Sequence, residues 1–301
     1  MSDNTSIKVD TNKWAQDGYL HLPKFYSHEF IDTIIENIDR FRAEAGAEAY
    51  DPSGRPNRVL HVHAGSAGIQ KALLNPRLNS VLTQLFSAKP VLWGSLLFDQ
   101  GSEQIAHTDA PWFFVEPYGS MAGVWTALED VHEDSGPLFL VPGSHQTALD
   151  VEAALKKNPE LHAEVLAFRA KNLSASTDPA CWDLSKRVAE QCQLEWTNRE
   201  GRQKFCIKKG DVVIWHQWMV HGGSPVNDPV RTRQSLISHW TANNSVAFDQ
   251  HNYFLNYGRL DDKLAMPLPV QDTTDGCYLK QKSHIISWVP PETFINTVET
   301  A

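Results

Sequence analysis

Val91-Leu92-Trp93-Gly94-Ser95-Leu96-Leu97-Phe98, then Gln100-Gly101-Ser102-Glu103, then Gln104-Ile105-Ala106-His107-Thr108-Asp109 is the stretch on which the reading of this chain turns. An apolar run of strand length breaks at a polar Gly-Ser turn and resumes as a segment that reads as extended. Alternate side chains of an extended segment share a face, so His107 and Asp109 point the same way and can converge on one ion. A third ligand has to come from elsewhere in the chain. The candidate is His221, in Trp215-His216-Gln217-Trp218-Met219-Val220-His221-Gly222-Gly223.

Downstream of that stretch the pattern stays β. Gly123–Asp130 and Gly136–His145 read as short strands, the second closed by Pro142-Gly143. Gln203–Ile207, Val212–Trp215 and Thr232–Trp240 follow. Short strands separated by Gly and Pro turns point to a sandwich or a jelly roll. Upstream, Trp14–Asp17 reads as a helix end, Gly18 as a turn and Tyr19–Leu22 as a strand. From Ser27 to Arg42 the apolar residues Phe30, Ile31, Ile34, Ile35, Ile38 and Phe41 recur at helical spacing, with Ser27 as N-cap and Glu29 in the first turn. Asp51–Asn57 is a loop, Arg58–His63 a strand, and Pro76–Phe86 a helix opened by its proline. The rhythm breaks at 147–201, where charged, helix-prone sequence reads as an insertion over the mouth of the β core. Termini are commonly loose, and residues 1–10 are polar enough to fit that rule. The tail after Asp249 shows no periodicity that assigns it a job.

At 301 residues the chain is expected to form a single domain spanning 1–301, with an N-terminal helical layer at about 11–88 and the insertion at about 147–201. An apolar fraction of 42 % with ten tryptophans supplies a large core. The net charge of −9, without a basic run, argues against a nucleic-acid partner. No charged leader with an apolar run follows Met1, and no stretch of about 18 apolar residues exists to span a bilayer. A soluble, cytoplasmic protein without a membrane partner is expected. Cys181, Cys192, Cys206 and Cys277 show neither zinc-site nor disulfide spacing and are expected reduced and mostly packed. Whether the chain is a monomer or a homodimer is left open.

Two histidines and a carboxylate on one face of a six-coordinate ion form the facial triad of non-haem Fe(II) oxygenases, with the opposite face free. A 2-oxo acid can chelate there and dioxygen can take the last position. The distal carboxylate of such a co-substrate needs neutralising, which an arginine fork does bidentately. Arg233 fits, and Ser235 shares its face; Arg231 also alternates with them but sits by the Asn227-Asp228-Pro229 turn. Gln104 reads equally as a co-substrate contact or as a group orienting a ligand. His61 and His63 are expected solvent-facing or hydrogen-bonded, and His145 to make a local hydrogen bond. Of Trp112, Phe113 and Phe114, core packing is the favoured role, with one or two facing the cavity as the alternative.

From Trp14 to Trp240 the chain resembles the phytanoyl-CoA dioxygenase family of Fe(II)- and 2-oxoglutarate-dependent oxygenases. The residues that carry the likeness are Asp17-Gly18-Tyr19-Leu20, Gly101-Ser102-Glu103-Gln104 ahead of His107, Trp125–Asp130, Gly136-Pro137-Leu138 and Pro142-Gly143-Ser144-His145. The resemblance implies a mainly β fold with a double-stranded β-helix (jelly roll) core, flanking N-terminal helices and a helical insertion. It implies His107, Asp109 and His221 as iron ligands, Arg233 as the 2-oxoglutarate anchor, and Trp125 as a co-substrate contact. Halogenating relatives carry a small residue where this chain has Asp109, so hydroxylation of an unactivated C–H bond of a small metabolite or natural-product intermediate is expected, with succinate and CO2 released. The other readings are a cupin-like isomerase or hydrolase using the same triad without 2-oxoglutarate, and a non-catalytic jelly-roll binding module.

Overall fold

The computed structural model describes residues 7–45, 58–110, 113, 115–147, 149–171, 179–197, 199–248, 250–260 and 265–279. The Asp51–Asn57 loop, Trp112 and Phe114 lie outside them. Helix α1 (Thr11–Asp17) opens where the Asp10 carboxylate accepts from Lys13 N and ends at Gly18, leading into β1 (Tyr19–Leu22). In α2 (His28–Ala45) the first turn is capped by Ser27, whose Oγ accepts from Phe30 N at 3.2 Å. Strand β2 (Arg58–Leu60) precedes the short helices α3 (Val62–Gly65) and α4 (Ala67–Leu73), and α5 (Pro76–Phe86) carries its proline in the first turn under an Asn75 cap. The expected strand over 58–63 is therefore cut short. At His61 the backbone turns left-handed (φ 51°), and its N–H donates to Ser95 O at 2.6 Å, which swings the chain into α3. Both imidazoles are consequently buried instead of facing solvent, and His63 Nδ1 lies 2.7 Å from Ser95 Oγ.

The remaining strands are β3 (Pro90–Phe98), β4 (Val115–Glu116), β5 (Met121–Ala127), β6 (Leu138–Leu140), β7 (Gln203–Phe205), β8 (Val212–His216), β9 (His221–Gly223), β10 (Ser235–Ala242), β11 (Val246–Ala247), β12 (Met266–Pro267), β13 (Val270–Asp272) and β14 (Cys277–Leu279). The large sheet runs β1-β8-β5-β10-β3-β14-β13, with β2 also on β3, and is antiparallel except for β14 on β3. Two three-stranded sheets, β7-β6-β9 and β12-β11-β4, complete the β structure of the described residues. One face of the large sheet (Val124, Ile214, Leu236, Trp240) packs under the helices through Ile31, Ile34, Ile38, Ile69, Leu78 and Leu82. The other face (Tyr19, Trp125, Ala127, Val213, Trp215) packs against Leu138, Leu140 and Phe205 of the small sheet. The alternation of β5 and β8 thus buries both of their faces, which is why neither strand carries a charge.

Within 147–201 lie α6 (Val151–Lys156), α7 (Pro159–Ala170) and α8 (Pro179–Thr197). They share a core with α9 (Gln250–Leu255) and Phe248, so part of the tail that sequence left without a job closes this helical group. Trp196 of α8 packs on Ala106, Phe139, Val141 and Val220, which brings the insertion against the His107 segment. Among the described residues helix, at about 36 % against 25 % strand, outweighs what a mainly β chain implies. The helices cover one face of the sheet and its insertion, while the β core is as expected. Among the described residues no helix is long and apolar enough to cross a membrane. None of the four cysteines forms a disulfide among the described residues; three are buried and Cys206 is exposed.

Burial pushes the pKa of His61 down to about 4, and those of His63 and His216 down to about 3. Between those values and the unfolded value of about 6.5 the unfolded chain binds more protons, so stability falls as pH falls through this window. Thermal melts from pH 7 to pH 4 are expected to lose on the order of 1 kcal/mol per pH unit for each such histidine. The His63→Gln variant should show a shallower pH slope than the parent; an identical slope would mean that His63 is not buried neutral.

Candidate metal centre

The segment from Gln100 to Ala110 is not a continuous strand. His107 is instead pinned by one antiparallel bridge, His107 N to His221 O and His221 N to His107 O, both 2.9 Å. Asp109 N and Ala110 N then both donate to Gln217 O at 3.0 Å. This approach needs two glycines. A Cβ on Gly222 would lie 2.6 Å from Gln104 O, and one on Gly223 2.6 Å from Ser102 Oγ, so only His221-Gly222-Gly223 lets the two segments meet.

His107, Asp109 and His221 converge, with one donor atom from each lying within 4.8 Å of the others, and all three are buried. The two imidazoles are oriented alike. His107 Nδ1 lies 2.8 Å from Ile105 O and His221 Nδ1 2.9 Å from Met219 O. A carbonyl only accepts, so Nδ1 carries the proton and Nε2 presents a lone pair in both rings. His221 Nε2 is 3.6 Å from Asp109 Oδ1, while Asp109 Oδ2 accepts from Trp215 Nε1 at 2.8 Å. Burial, together with the field of His221, lowers the His107 pKa to about 3, so its ring stays neutral, as a ligand must be. Burial alone would raise the Asp109 pKa; the neighbouring His221 and His239 outweigh it and hold the carboxyl well below the usual range. Two imidazole nitrogens and one carboxylate, each residue held by a second group, fit a divalent iron-type ion.

Gln104 Nε2 sits 3.0 Å from His107 Nε2, which places its amide directly on the ligand atom. His145 Nε2 bonds to Ala15 O at 3.1 Å; the bond is not local in sequence but fastens α1 to the Pro142-Gly143-Ser144-His145 turn. Phe113 is buried and stacks on His239, with ring centroids 4.4 Å apart.

The anchor candidates separate cleanly. Arg231 is exposed and paired with Asp228 at 3.0 Å. Arg233 is buried and has no carboxylate partner among the described residues: Nη1 donates to Gly136 O at 3.0 Å, Nη2 reaches Gln100 O at 3.5 Å, and Nε has no partner. Its guanidinium lies 5.5 Å from the Trp125 ring centroid and 5.8 Å from that of Phe98. Desolvation lowers its pKa to about 10, which leaves it charged at neutral pH. Ser235 Oγ and Trp125 Nε1 are likewise buried without a hydrogen-bond partner. Ser235 pairs across Ala127, and Ile237 across Trp125, so all of these face the interior shared with Trp215. A buried cation beside uncommitted donors is a site for an anion.

The family model for phytanoyl-CoA dioxygenase (PhyH) matches residues 14–233. The chain belongs to this family. A phytanoyl-CoA dioxygenase domain-containing protein 1 from Danio rerio is 32 % identical over 98 residues, covering 31 % of this chain and 34 % of the relative. The chain therefore matches about a third of the length of these relatives. An ectoine dioxygenase from Bordetella parapertussis is 24 % identical over 269 residues, 84 % of this chain and 76 % of the relative. Among solved structures, the epimerase SnoN with Fe3+, alpha ketoglutarate and nogalamycin RO covers 86 % of this chain and 91 % of its own at TM-score 0.57 and 18 % identity. EctD from S. alaskensis with 2-oxoglutarate and 5-hydroxyectoine covers 85 % of each chain at TM-score 0.57 and 17 % identity. These likenesses carry the PhyH-type fold.

Trp215 and His239, which both face Asp109 Oδ2, were missed by sequence reasoning. Their alternation along β8 and β10 was visible, but nothing in the sequence says which carboxylate they meet. Removing the Asp109 carboxylate in Asp109→Ala is expected to weaken Fe(II) uptake by about 100-fold or more, at the upper end of what even supporting groups contribute. Anaerobic titration with metal analysis measures this; uptake equal to the parent's would remove Asp109 from the ligand set.

Proposed function

We propose that this chain is an Fe(II)- and 2-oxoglutarate-dependent dioxygenase that hydroxylates an unactivated C–H bond of a small organic metabolite or natural-product intermediate. We further read it as one double-stranded β-helix domain over 1–301 in the cytoplasm, a reducing setting that cysteines without a disulfide among the described residues support. The observation that carries the proposal is Arg233: a buried guanidinium without a carboxylate among the described residues, beside the idle donors of Ser235 and Trp125, on the sheet face it shares with Trp215, whose indole bonds Asp109. A cupin-like hydrolase or isomerase needs the triad but has no use for that cation.

In this reading His107, Asp109 and His221 hold the ion, and Arg233 with Ser235 takes the distal carboxylate of 2-oxoglutarate. The bound iron supplies the activation of dioxygen that the side chains cannot perform. Trp125, one ring removed from Arg233, walls the co-substrate and excludes water around the ion pair. Gln104 holds with its amide the His107 Nε2 lone pair that the ion would take, so ion binding releases it to meet the bound molecules. The overall balance converts dioxygen, 2-oxoglutarate and substrate into succinate, CO2 and the hydroxylated product. Asp109 fills the position that a halide would need, which favours hydroxylation over halogenation.

The test is coupled succinate formation during a screen of small-molecule substrates, with product mass distinguishing hydroxylation from ring closure or epimerisation. Arg233→Ala should retain Fe(II) binding but raise KM for 2-oxoglutarate by about 100-fold, the order given by losing a charge-assisted pair of about 3 kcal/mol. Turnover independent of 2-oxoglutarate, or unchanged in Arg233→Ala, would favour the cupin-like alternative. Absence of Fe(II) uptake would favour the binding module.

A further inference from the structure

We propose that Trp215 selects which oxygen of Asp109 is offered to the ion: its indole N–H engages Oδ2 and leaves Oδ1 as the ligand atom. This rests on the metal-centre reading above and deepens it. The two oxygens have different surroundings. Oδ2 accepts from Trp215 Nε1 at 2.8 Å and has His239 Nε2 at 3.6 Å. Oδ1 lies 3.6 Å from His221 Nε2, itself a ligand atom. All four side chains are buried, so the N–H to carboxylate bond acts in a medium where it is strong. A carboxylate free to rotate can bind a metal through one oxygen or through both. Binding through both would fill a position that the co-substrate or dioxygen needs. The indole N–H opposes that rotation.

The reach of the indole depends on a residue on another strand. Gly123 of β5 stands between Trp215 of β8 and His239 of β10 in the register of the sheet. A Cβ there would sit 2.3 Å from Trp215 Cε2 and 2.7 Å from Nε1. Glycine is needed here for space, not for backbone freedom: the bare Cα is the floor across which the ring lies to reach Asp109. The ring also approaches His221, with centroids 4.9 Å apart. Trp215 is a positioning residue, because it acts on the ion only through Asp109.

Two substitutions on different strands test this. Trp215→Phe keeps an aromatic ring and removes the N–H. Gly123→Ala leaves every ligand and Trp215 unsubstituted but displaces the indole. Each protein is titrated anaerobically with Co(II), whose visible bands report the number and arrangement of its ligands, and folding is checked by circular dichroism. Both variants should bind Co(II) about 10–100-fold more weakly than the parent, the range found when a group supporting a ligand is lost. Both should also show an altered band pattern. The double variant should be no weaker than the weaker single one, because both changes remove the same contact. Single variants with the parent's affinity and spectrum, or losses that add in the double variant, would overturn the proposal. If Trp215→Phe folds poorly, Gly123→Ala decides alone. A parent that takes up no Co(II) would overturn the metal-centre reading and this proposal together, whereas a binding parent with unaffected variants overturns only this one.

Discussion

The pair of backbone hydrogen bonds exchanged between His107 and His221 is the constraint from which the rest of the site follows. It fixes two histidines more than a hundred residues apart in sequence as direct neighbours across a single bridge. Each ring then donates through Nδ1 to the carbonyl two residues before it, Ile105 for one and Met219 for the other. The two nitrogen lone pairs therefore point inward by the same local geometry used twice. Asp109 enters as the third donor because its own N–H is held by Gln217 O in the same loop. Remove the bridge and none of these orientations is specified.

Buried charge organises the space between the two sheets. Asp109 and Arg233 are of opposite sign, both buried, and no ion pair joins them among the described residues. Each is stabilised separately, the carboxylate by Trp215 and the nearby imidazoles, the guanidinium by Gly136 O and the faces of Trp125 and Phe98. Carbonyls and rings offset only part of the cost of burying a cation. That deficit is what a dianionic chelating co-substrate would answer, with one end at the ion and the other at Arg233.

Much of this was legible because the chemistry is local in sequence. His107 and Asp109 stand two apart, and Ser27, Pro76 and Gly18 mark helix ends by their own side chains or lack of one. The residues that escaped are those whose role is set by a partner strand. Alternation assigns Trp215 and His239 to a face but cannot name Asp109 as what they meet. Arg231 and Arg233 share one alternation; the turn beside Arg231 favoured Arg233, and the exposure and Asp228 partner of the first against the burial of the second separate them in the fold. The Arg58–His63 segment looked like a full strand, yet the approach of Ser95 turns it at His61. The tail had no readable period because its helix packs on α6 to α8, a contact with no local signature.

The central claim is that one buried pocket binds Fe(II) through the triad and 2-oxoglutarate at the same time. Its most direct test is anaerobic titration of the Fe(II)-loaded protein with 2-oxoglutarate, followed by visible absorption. The account predicts a new charge-transfer band that requires both components and saturates stoichiometrically with the co-substrate. No band at saturating 2-oxoglutarate, in protein shown to hold its iron, would contradict it.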